Sequence, residues 1–353
     1  VNFRNFSAVD FSPHENLNVI YGDNGAGKSS LLEAIHVLGF GRSFRTSRPD
    51  LFISDKKTQA AGFCEFMNQG VLSKLGFSRS KRDGYLFSLN GEKTKKIVDI
   101  ARLLPVQIFT PQSSDLILGP PLGRRRYLDW LLFHVEQSYN LDFQVFSKSL
   151  RHLNALYKNK QHADGVEYWV EVLCEKGEEI TIKRSNLLDN HLIQLLNTNL
   201  KDFLPELSFE IAYYRGWEKE LSLEDAILKN RQRDQRNGFL SVGPHKADLR
   251  IKLHGTIAHE ILSRGQLRML VAGMQLAQTQ YLHTKTYKSS IFLLDDVGAE
   301  LDEEKRQVFI SKLNTAETQL FVTAIDIKQL DFLKNYNDKK VFHVEHGHVR
   351  EEI

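Results

Sequence analysis

The chain has 353 residues, of which 41% are hydrophobic and 26% are charged, and its formal net charge at pH 7 is +3. This composition indicates a soluble globular protein of one large domain or two, and no stretch approaches the apolar length of a membrane span. Two cysteines, Cys64 and Cys174, argue against a disulfide framework or a zinc site and favour a reducing, cytoplasmic location.

The basic residues are concentrated in the N-terminal third. Residues 1–118 hold 15 Lys and Arg against 11 Asp and Glu, whereas the balance is 17 against 18 in residues 119–236 and 15 against 15 in residues 237–353. A solvated face explains such clusters as well as a surface for a phosphate backbone does. Both interpretations stay open at this stage.

The first chemical motif is a phosphate-binding loop at residues 22–29. Its spacing is Gly-x-x-x-x-Gly-Lys-Ser; a short β-prone run precedes it and a helical pattern follows. We expect Lys28 to reach the β- and γ-phosphates of a nucleoside triphosphate, and the Ser29 hydroxyl to bind Mg²⁺. The residues predicted to hold the nucleotide here are Gly22, Asp23, Asn24, Gly25, Ala26, Gly27, Lys28, Ser29 and Ser30.

Two arginine-bearing stretches come next in the chain. Arg42 and Arg45 flank an aromatic residue in a glycine-bearing loop, which is a plausible contact for a nucleic-acid backbone. Arg124 and Arg125 open a helix, where positive charge opposes the helix dipole unless an anion or an acid lies nearby. Either DNA or the nearby Asp129 could supply that negative charge.

Residues 119–242 read as short amphipathic helices broken by turns, such as RRRYLDWLLFHV and QVFSKSLRHLNALY. No heptad pattern persists for three or more heptads, so we expect a compact helical lobe and no long coiled coil. At its end, Gly243 and Pro244 predict a turn in which His245 and Lys246 are either simply exposed or functional.

Residues 261–270, ILSRGQLRML, begin a predicted helix of about four turns. Ser263 and Gln266 have the spacing of a capping box, which needs no ligand. The box does not explain Gly265, a costly residue in a first helical turn unless a phosphate must approach the backbone. We therefore predict an anion site made by Ser263, Gly265 and Gln266. Because the chain already has its own phosphate loop, this second site would serve the nucleotide of another subunit.

An apolar run at residues 291–294 ends in two acids and predicts a buried parallel strand. Asp295 is expected to bind Mg²⁺, through water or through Ser29, and Asp296 to orient or deprotonate an attacking water. Because Asp is shorter than Glu, we expect slow hydrolysis, suited to a switch. The catalytic set is therefore Lys28, Asp295, Asp296 and, from the second subunit, Ser263.

Residues 262–266, LSRGQ, resemble the LSGGQ signature of ATP-binding-cassette ATPases, and residues 298–302, GAELD, resemble their D-loop. The resemblance implies two ATP molecules sandwiched between two head-to-tail protomers. It also implies a γ-phosphate histidine after the D-loop, but the strand at residues 319–324 ends in Thr323 and Ala324. The Q-loop glutamine, which the resemblance implies is a Mg²⁺ ligand, is either Gln112 or Gln107.

Three stretches, at residues 39–46, 111–129 and 243–249, resemble the RecF family of recombination-repair ATPases, and the likeness spans nearly the whole chain. Members of that family usually have an acid where Gln112 stands, so this chain departs from the family pattern at that position. The resemblance implies an ATP-dependent homodimer on DNA that helps RecR and RecO to load RecA at gaps, in the cytoplasm at the nucleoid. Duplexes and single-strand/duplex junctions are the expected DNA, without reading of bases.

The expected fold is thus an α/β ATPase head of the ABC type, with a mixed sheet, flanking helices and an inserted helical lobe. We assign residues 1–118 and 243–353 to the ATP-binding lobe and residues 119–242 to the insertion. Two alternatives remain: the head of a structural-maintenance or Rad50-like tether, and a transporter cassette that powers a membrane partner.

Overall fold

The computed structural model describes residues 1–68, 70–94, 96–159, 166–296, 302–333 and 336–352. The strands are β1 (Leu17–Tyr21), β2 (Gln59–Asn68), β3 (Val71–Ser80), β4 (Gly84–Leu89), β5 (Glu92–Thr94), β6 (Val106–Phe109), β7 (Phe209–Tyr214), β8 (Asp248–Leu253), β9 (Thr256–Ile257), β10 (Ile291–Leu294), β11 (Gln319–Ala324), β12 (Lys339–Glu345) and β13 (His348–Glu352).

The helices follow the same order. They are α1 (Lys28–Phe40), α2 (Ile97–Leu103), α3 (Asp115–Leu118), α4 (Pro121–Val135), α5 (Tyr139–Lys158), α6 (Val166–Leu187), α7 (Ile193–Phe203), α8 (Leu223–Asn237), α9 (Ala258–Ile261), α10 (Arg264–Thr286) and α11 (Glu303–Thr315). A π-helical segment, Leu188–Leu192, joins α6 to α7. Over the described ranges, no helix is both long and apolar enough to cross a membrane.

The chain forms two compact units. The first comprises Val1–Ser113 and His283–Ile353, and the second comprises Ser114–Leu282. The first boundary lies close to the predicted one at residue 118, but the second lies after residue 282, well beyond the predicted residue 242. The reason is packing: the Tyr127 hydroxyl of α4 donates to the Met274 carbonyl of α10 at 2.8 Å, so the signature helix belongs mainly to the second unit.

The first unit is built on a six-stranded mixed sheet in the order β13-β12-β1-β11-β10-β6. Strands β12, β1, β11, β10 and β6 are parallel neighbours, and β13 is antiparallel to β12. The central strands are apolar and almost wholly buried, as expected for parallel strands covered on both faces. Their carboxyl ends therefore meet at one edge, where β1 runs into the phosphate loop and β10 into the two aspartates.

Two antiparallel sheets were not predicted. In the first unit, β2, β3, β4 and β5 form a four-stranded sheet in sequence order. In the second unit, which we expected to be helical, β7, β8 and β9 form a three-stranded sheet. Alternation such as the buried Leu249, Ile251 and Leu253 of β8 is the pattern that marks a half-buried strand.

A buried ion pair ties the second unit together. Arg184 of α6 is 1% exposed, and its guanidinium lies 2.7 Å from the Asp129 carboxylate of α4. The same guanidinium donates to the Pro244 carbonyl at 2.8 Å, and the Tyr139 hydroxyl donates to Asp129. Asp129, considered above as one possible partner for Arg124 and Arg125, is thus paired with Arg184 instead.

Replacing Asp129 with Ala is expected to lower the free energy of unfolding by about 3–5 kcal/mol, because it leaves the Arg184 charge buried and unpaired. Denaturant unfolding measures the loss. The double variant Asp129→Leu with Arg184→Met should lose less, since it removes both charges together. A double variant as unstable as the single one would contradict this explanation.

Candidate nucleotide-binding site

The loop between β1 and α1 has the geometry of a phosphate cradle. Gly22 has φ +152°, and a Cβ added there would lie 2.1 Å from the Val344 carbonyl oxygen of β12. Gly25 has φ +83°, but a Cβ there would meet no atom within 4 Å. The loop is therefore pressed against the sheet at its start and open at its crest, which leaves room for a ligand against the backbone.

Lys28 lies across this loop. Its side chain is nearly buried, and its ammonium donates to the carbonyl oxygens of Gly22 at 2.6 Å and Asp23 at 3.0 Å. Burial lowers the pKa of Lys28, an effect opposed by the carboxylates of Asp296, Asp295 and Asp23. A loss of solvation that is only partly compensated favours binding of a further anion beside this ammonium.

Ser29 and Asp295 meet although they are 266 positions apart in the chain. The Ser29 hydroxyl donates to Asp295 Oδ1 at 2.9 Å, because β10 ends beside the phosphate loop. The Asp295 backbone N–H donates to the Phe109 carbonyl at 2.9 Å, which fixes the end of β10 against β6. Burial raises the pKa of Asp295; hydrogen bonds from Ser29 and Thr323 oppose that rise, and the nearby Asp296 adds to it.

Thr323 connects the two aspartates and was missed as a site residue. Its hydroxyl donates to Asp295 Oδ1 at 3.0 Å and accepts the Asp296 backbone N–H at 2.8 Å. From the sequence, Thr323 was expected only to stand in place of a γ-phosphate histidine. The sequence did contain a clue: Thr323 lies at the carboxyl end of a strand that runs parallel to the strand before Asp295. The carboxyl ends of neighbouring parallel strands lie at the same sheet edge.

Asp296 has a strained backbone and a side-chain oxygen that can accept a hydrogen bond. Its φ is +54°, a left-handed conformation that few non-glycine residues adopt, although Asp and Asn do so most readily. Its Oδ1 atom is buried and has no hydrogen-bond partner in the described part of the chain. A buried carboxylate oxygen without a partner costs free energy, so its presence at the edge of the phosphate loop suits a bound water or ligand.

The side-chain oxygens of Ser29 and Asp295 suit a nucleotide bound together with Mg²⁺. Hydroxyl and carboxylate oxygens, here those of Ser29 and Asp295, are the ligands Mg²⁺ prefers, and phosphates and waters usually complete its octahedron. Across the described ranges, no group of three or more His, Cys, Asp or Glu side chains forms a separate metal site. The Gln112 side chain is exposed in the turn after β6, whereas Gln107 is buried within β6.

A second missed feature is the buried Glu33 of α1. Arg4 binds its carboxylate with two hydrogen bonds of 2.7 and 2.8 Å, and the Ser43 hydroxyl donates to it as well. Ser43 Oγ also accepts the backbone N–H of Arg45 at 2.9 Å. The loop after α1 is thus fastened to the helix that carries the phosphate loop.

Of the four arginines predicted to contact DNA, two lie on this loop. Arg45 Nη1 is 3.5 Å from both Ser30 Oγ and Glu33 Oε2, so this arginine lies beside the nucleotide loop. The Arg42 guanidinium lies 4.9 Å from the centre of the Phe40 ring.

The other two predicted DNA contacts are engaged inside the second unit. Arg124 forms two hydrogen bonds with the Asp248 carboxylate, at 2.7 and 3.2 Å, and also donates to the Ile117 and Gly119 carbonyls at the end of α3. Arg125 donates to the Ala247 carbonyl at 2.7 Å, and burial lowers its pKa. Both side chains therefore anchor the turn before β8, and their partners are Asp248 and the Ala247 carbonyl rather than DNA or Asp129.

The signature segment, in the second unit, has the predicted capping box. The Ser263 backbone N–H donates to Gln266 Oε1 at 2.9 Å, and the Gln266 N–H donates to Ser263 Oγ at 3.3 Å. Ser263, Arg264 and Gly265 are all exposed, and a Cβ on Gly265 would meet nothing within 4 Å. Nothing in the described part of the chain requires glycine there. Of the D-loop, residues 298–301 lie outside the described residues, and Asp302 caps α11 by accepting the Lys305 N–H at 2.9 Å.

A phosphate loop on a mixed sheet, an acidic strand end beside it and a signature helix define an ATPase head of the ABC type. Residues 1–350 match the family described as RecF/RecN/SMC N terminal domain. The chain is 53% identical to the DNA replication and repair protein RecF of Pseudoalteromonas atlantica over 99% of the chain and 97% of the relative. For RecF of Psychromonas ingrahamii the identity is 35%, over 98% and 96%. The chain belongs to the RecF family of DNA replication and repair proteins.

Solved structures agree. The recombination mediator protein RecF with ATP, in the RecFOR pathway, is similar at a TM-score of 0.85 and 27% identity, over 100% of this chain and 96% of that one. The SmcHead bound to the C-winged helix domain of ScpA shares the fold at a TM-score of 0.57 and 16% identity, over 99% and 94%. The predicted fold class, a mixed-sheet ATPase head without a long coiled coil, is confirmed.

Proposed function

We propose that this chain is an ATP-dependent DNA-binding protein of recombinational repair and replication restart, in which ATP joins two copies head to tail and slow hydrolysis releases them. One observation carries the proposal: Gly265 sits exposed in the first turn of α10, and no neighbour in the described residues needs a glycine there. The first backbone N–H groups of a helix lack partners within the helix, and beside the Ser263 hydroxyl such groups can form an anion site. The γ-phosphate held by a second copy fits it.

In the proposed cycle each residue has a distinct task. Lys28 exchanges its two loop carbonyls for β- and γ-phosphate oxygens, and Ser29 and Asp295 are the residues that would hold Mg²⁺. Bound Mg²⁺ would neutralise phosphate charge during transfer. Asp296 accepts the proton of the attacking water through its free Oδ1, and Thr323 keeps both aspartates in place. An aspartate base beside Thr323, where a γ-phosphate histidine was expected, suits a slow switch.

The partners proposed for the assembly come from the family. The similar solved structure is named a recombination mediator of the RecFOR pathway, and we extend to this chain a role with RecR and RecO in loading RecA at gaps. The DNA is a duplex or a single-strand/duplex junction, bound through phosphates and not read by base. Arg42 and Arg45 remain proposed contacts, since their loop borders the nucleotide site.

The proposal predicts that the wild-type protein sediments as a dimer and binds duplex DNA only with Mg²⁺ and ATP. The variant Lys28→Ala should stay monomeric and fail to bind DNA under the same conditions, because it lacks the cation that holds the phosphates. Sedimentation velocity and fluorescence anisotropy with a labelled duplex measure both properties. Equal DNA affinity with and without ATP in the wild-type protein would contradict the proposal that ATP-dependent dimerisation controls DNA binding.

A further inference from the structure

The second unit carries a basic surface that none of the predicted DNA contacts includes. Residues 229–246 contain five Lys and Arg but one acidic residue, Asp234, in a chain whose total net charge is only +3. Asp234 is 1% exposed, and its carboxylate accepts the Ser241 backbone N–H at 3.0 Å, inside the turn that follows α8. The cations of this stretch are therefore at the surface, while its single acid is not.

Not all of these cations are available. The Lys229 ammonium lies 2.7 Å from both carboxylate oxygens of Glu218, Arg231 lies 4.0 Å from Glu167, and Arg233 donates to the Ser241 hydroxyl. For Arg236 and Lys246, both exposed, no ion pair occurs within the described ranges. Burial lowers the pKa of the neighbouring His245 to about 4, so its imidazole adds no charge at neutral pH.

The fold brings a third exposed cation, Lys158, to the same place. A Cβ on Gly238, the residue that ends α8, would lie 3.3 Å from the Cα of Lys158 at the end of α5. The Asn154 side chain accepts the Leu240 backbone N–H at 2.9 Å, which fixes α5 against this turn. Lys246 completes the group, with its ammonium 5.2 Å from the centre of the Phe239 ring, itself 44% exposed.

We propose that Lys158, Arg236 and Lys246, which we name the α8 patch, bind the phosphate backbone of DNA. The three cations are exposed around one turn, whereas Asp234, the acid of the same stretch, is buried, which is the charge pattern expected of a backbone contact. Lys246 also lies over the exposed Phe239 ring. The α8 patch takes over the DNA contact that Arg124 and Arg125, both engaged internally, do not supply. This inference deepens the proposed function and rests on it.

The test compares two variants that lose the same amount of charge. Arg236→Gln with Lys246→Gln removes two members of the α8 patch, whereas Lys229→Gln with Arg231→Gln removes two cations from the same region that face acids. DNA affinity is measured with Mg²⁺ and ATP between 50 and 200 mM salt. Loss of two phosphate contacts should reduce the slope of log K against log[salt] by about 2 and weaken binding about tenfold or more.

The matched control should keep the wild-type slope, and both variants should still bind ATP and dimerise, because neither alters the nucleotide site. A separate Lys158→Gln variant should lower the slope by about 1. If the wild-type protein binds DNA with ATP and the patch variant keeps its slope, the inference is overturned, and an acidic protein becomes the ligand to seek. A wild-type protein that never binds DNA overturns the proposed function and the patch together.

Discussion

Replacing Asp296 with Asn is expected to lower kcat for ATP hydrolysis by about 10²- to 10⁴-fold, the usual contribution of a general base. The substitution keeps the shape of the side chain, and Asn tolerates the left-handed backbone at φ +54° as readily as Asp does. The Asp296 N–H bond to Thr323 is also retained, because it is made by the backbone. Single-turnover hydrolysis with saturating ATP measures the effect on the chemical step.

ATP affinity serves as the control for this variant. Asp296 lies beyond the Ser29–Asp295 pair, so equilibrium binding of Mg²⁺-ATP should change little in Asp296→Asn and should weaken in Asp295→Asn. Because hydrolysis separates the two copies in our proposal, the Asp296→Asn dimer should also persist longer on DNA. Wild-type turnover in Asp296→Asn would show that another group activates the water.

The variant Ser263→Arg is expected to bind ATP normally but to lose both ATP-dependent dimerisation and DNA binding. Ser263 lies in the second compact unit and is exposed directly before α10. We propose that the start of this helix binds the γ-phosphate of the ATP held by the other copy. A long cation there removes the capping hydroxyl and fills the space in front of the first turn. Nucleotide binding should therefore be unchanged in this variant. Sedimentation should show no ATP-dependent dimer, and fluorescence anisotropy should show no DNA binding.

Ser263→Ala distinguishes this role from capping alone. Loss of the cap should cost about 1 kcal/mol of stability and leave the helix in place, since α10 is buried along most of its length. If capping were the whole role of Ser263, the alanine variant would dimerise like the wild type at temperatures well below unfolding. We expect it instead to need more ATP to dimerise.

The nucleotide half of the site could be predicted from the sequence because its signals are local. The glycine spacing, the apolar run before it and the acids after β10 each depend on a few neighbouring residues. The contact between Ser29 and Asp295 follows from them, since parallel strands place their carboxyl ends at one edge. The capping box at Ser263 is confirmed for the same reason.

Long-range charge pairing could not be predicted. Arg124 pairs with Asp248, 124 positions away, and Asp129 with Arg184, 55 positions away, although Arg124 and Asp129 are nearer in the chain. Which acid a buried arginine meets depends on how α4, α6 and β8 pack, and no local pattern reports that. The tie from Glu33 to Arg4 and Ser43 is of the same kind.

The most direct test of the two-subunit site mixes two inactive proteins. Lys28→Ala lacks a working phosphate loop but keeps Ser263, whereas Ser263→Arg keeps Lys28 but lacks the signature hydroxyl. Sites shared between subunits predict that the mixture, unlike either variant alone, forms ATP-dependent dimers with one complete site and recovers part of the wild-type DNA binding. A mixture as inactive as its components, or a Ser263→Arg protein that dimerises normally with ATP, would contradict the account.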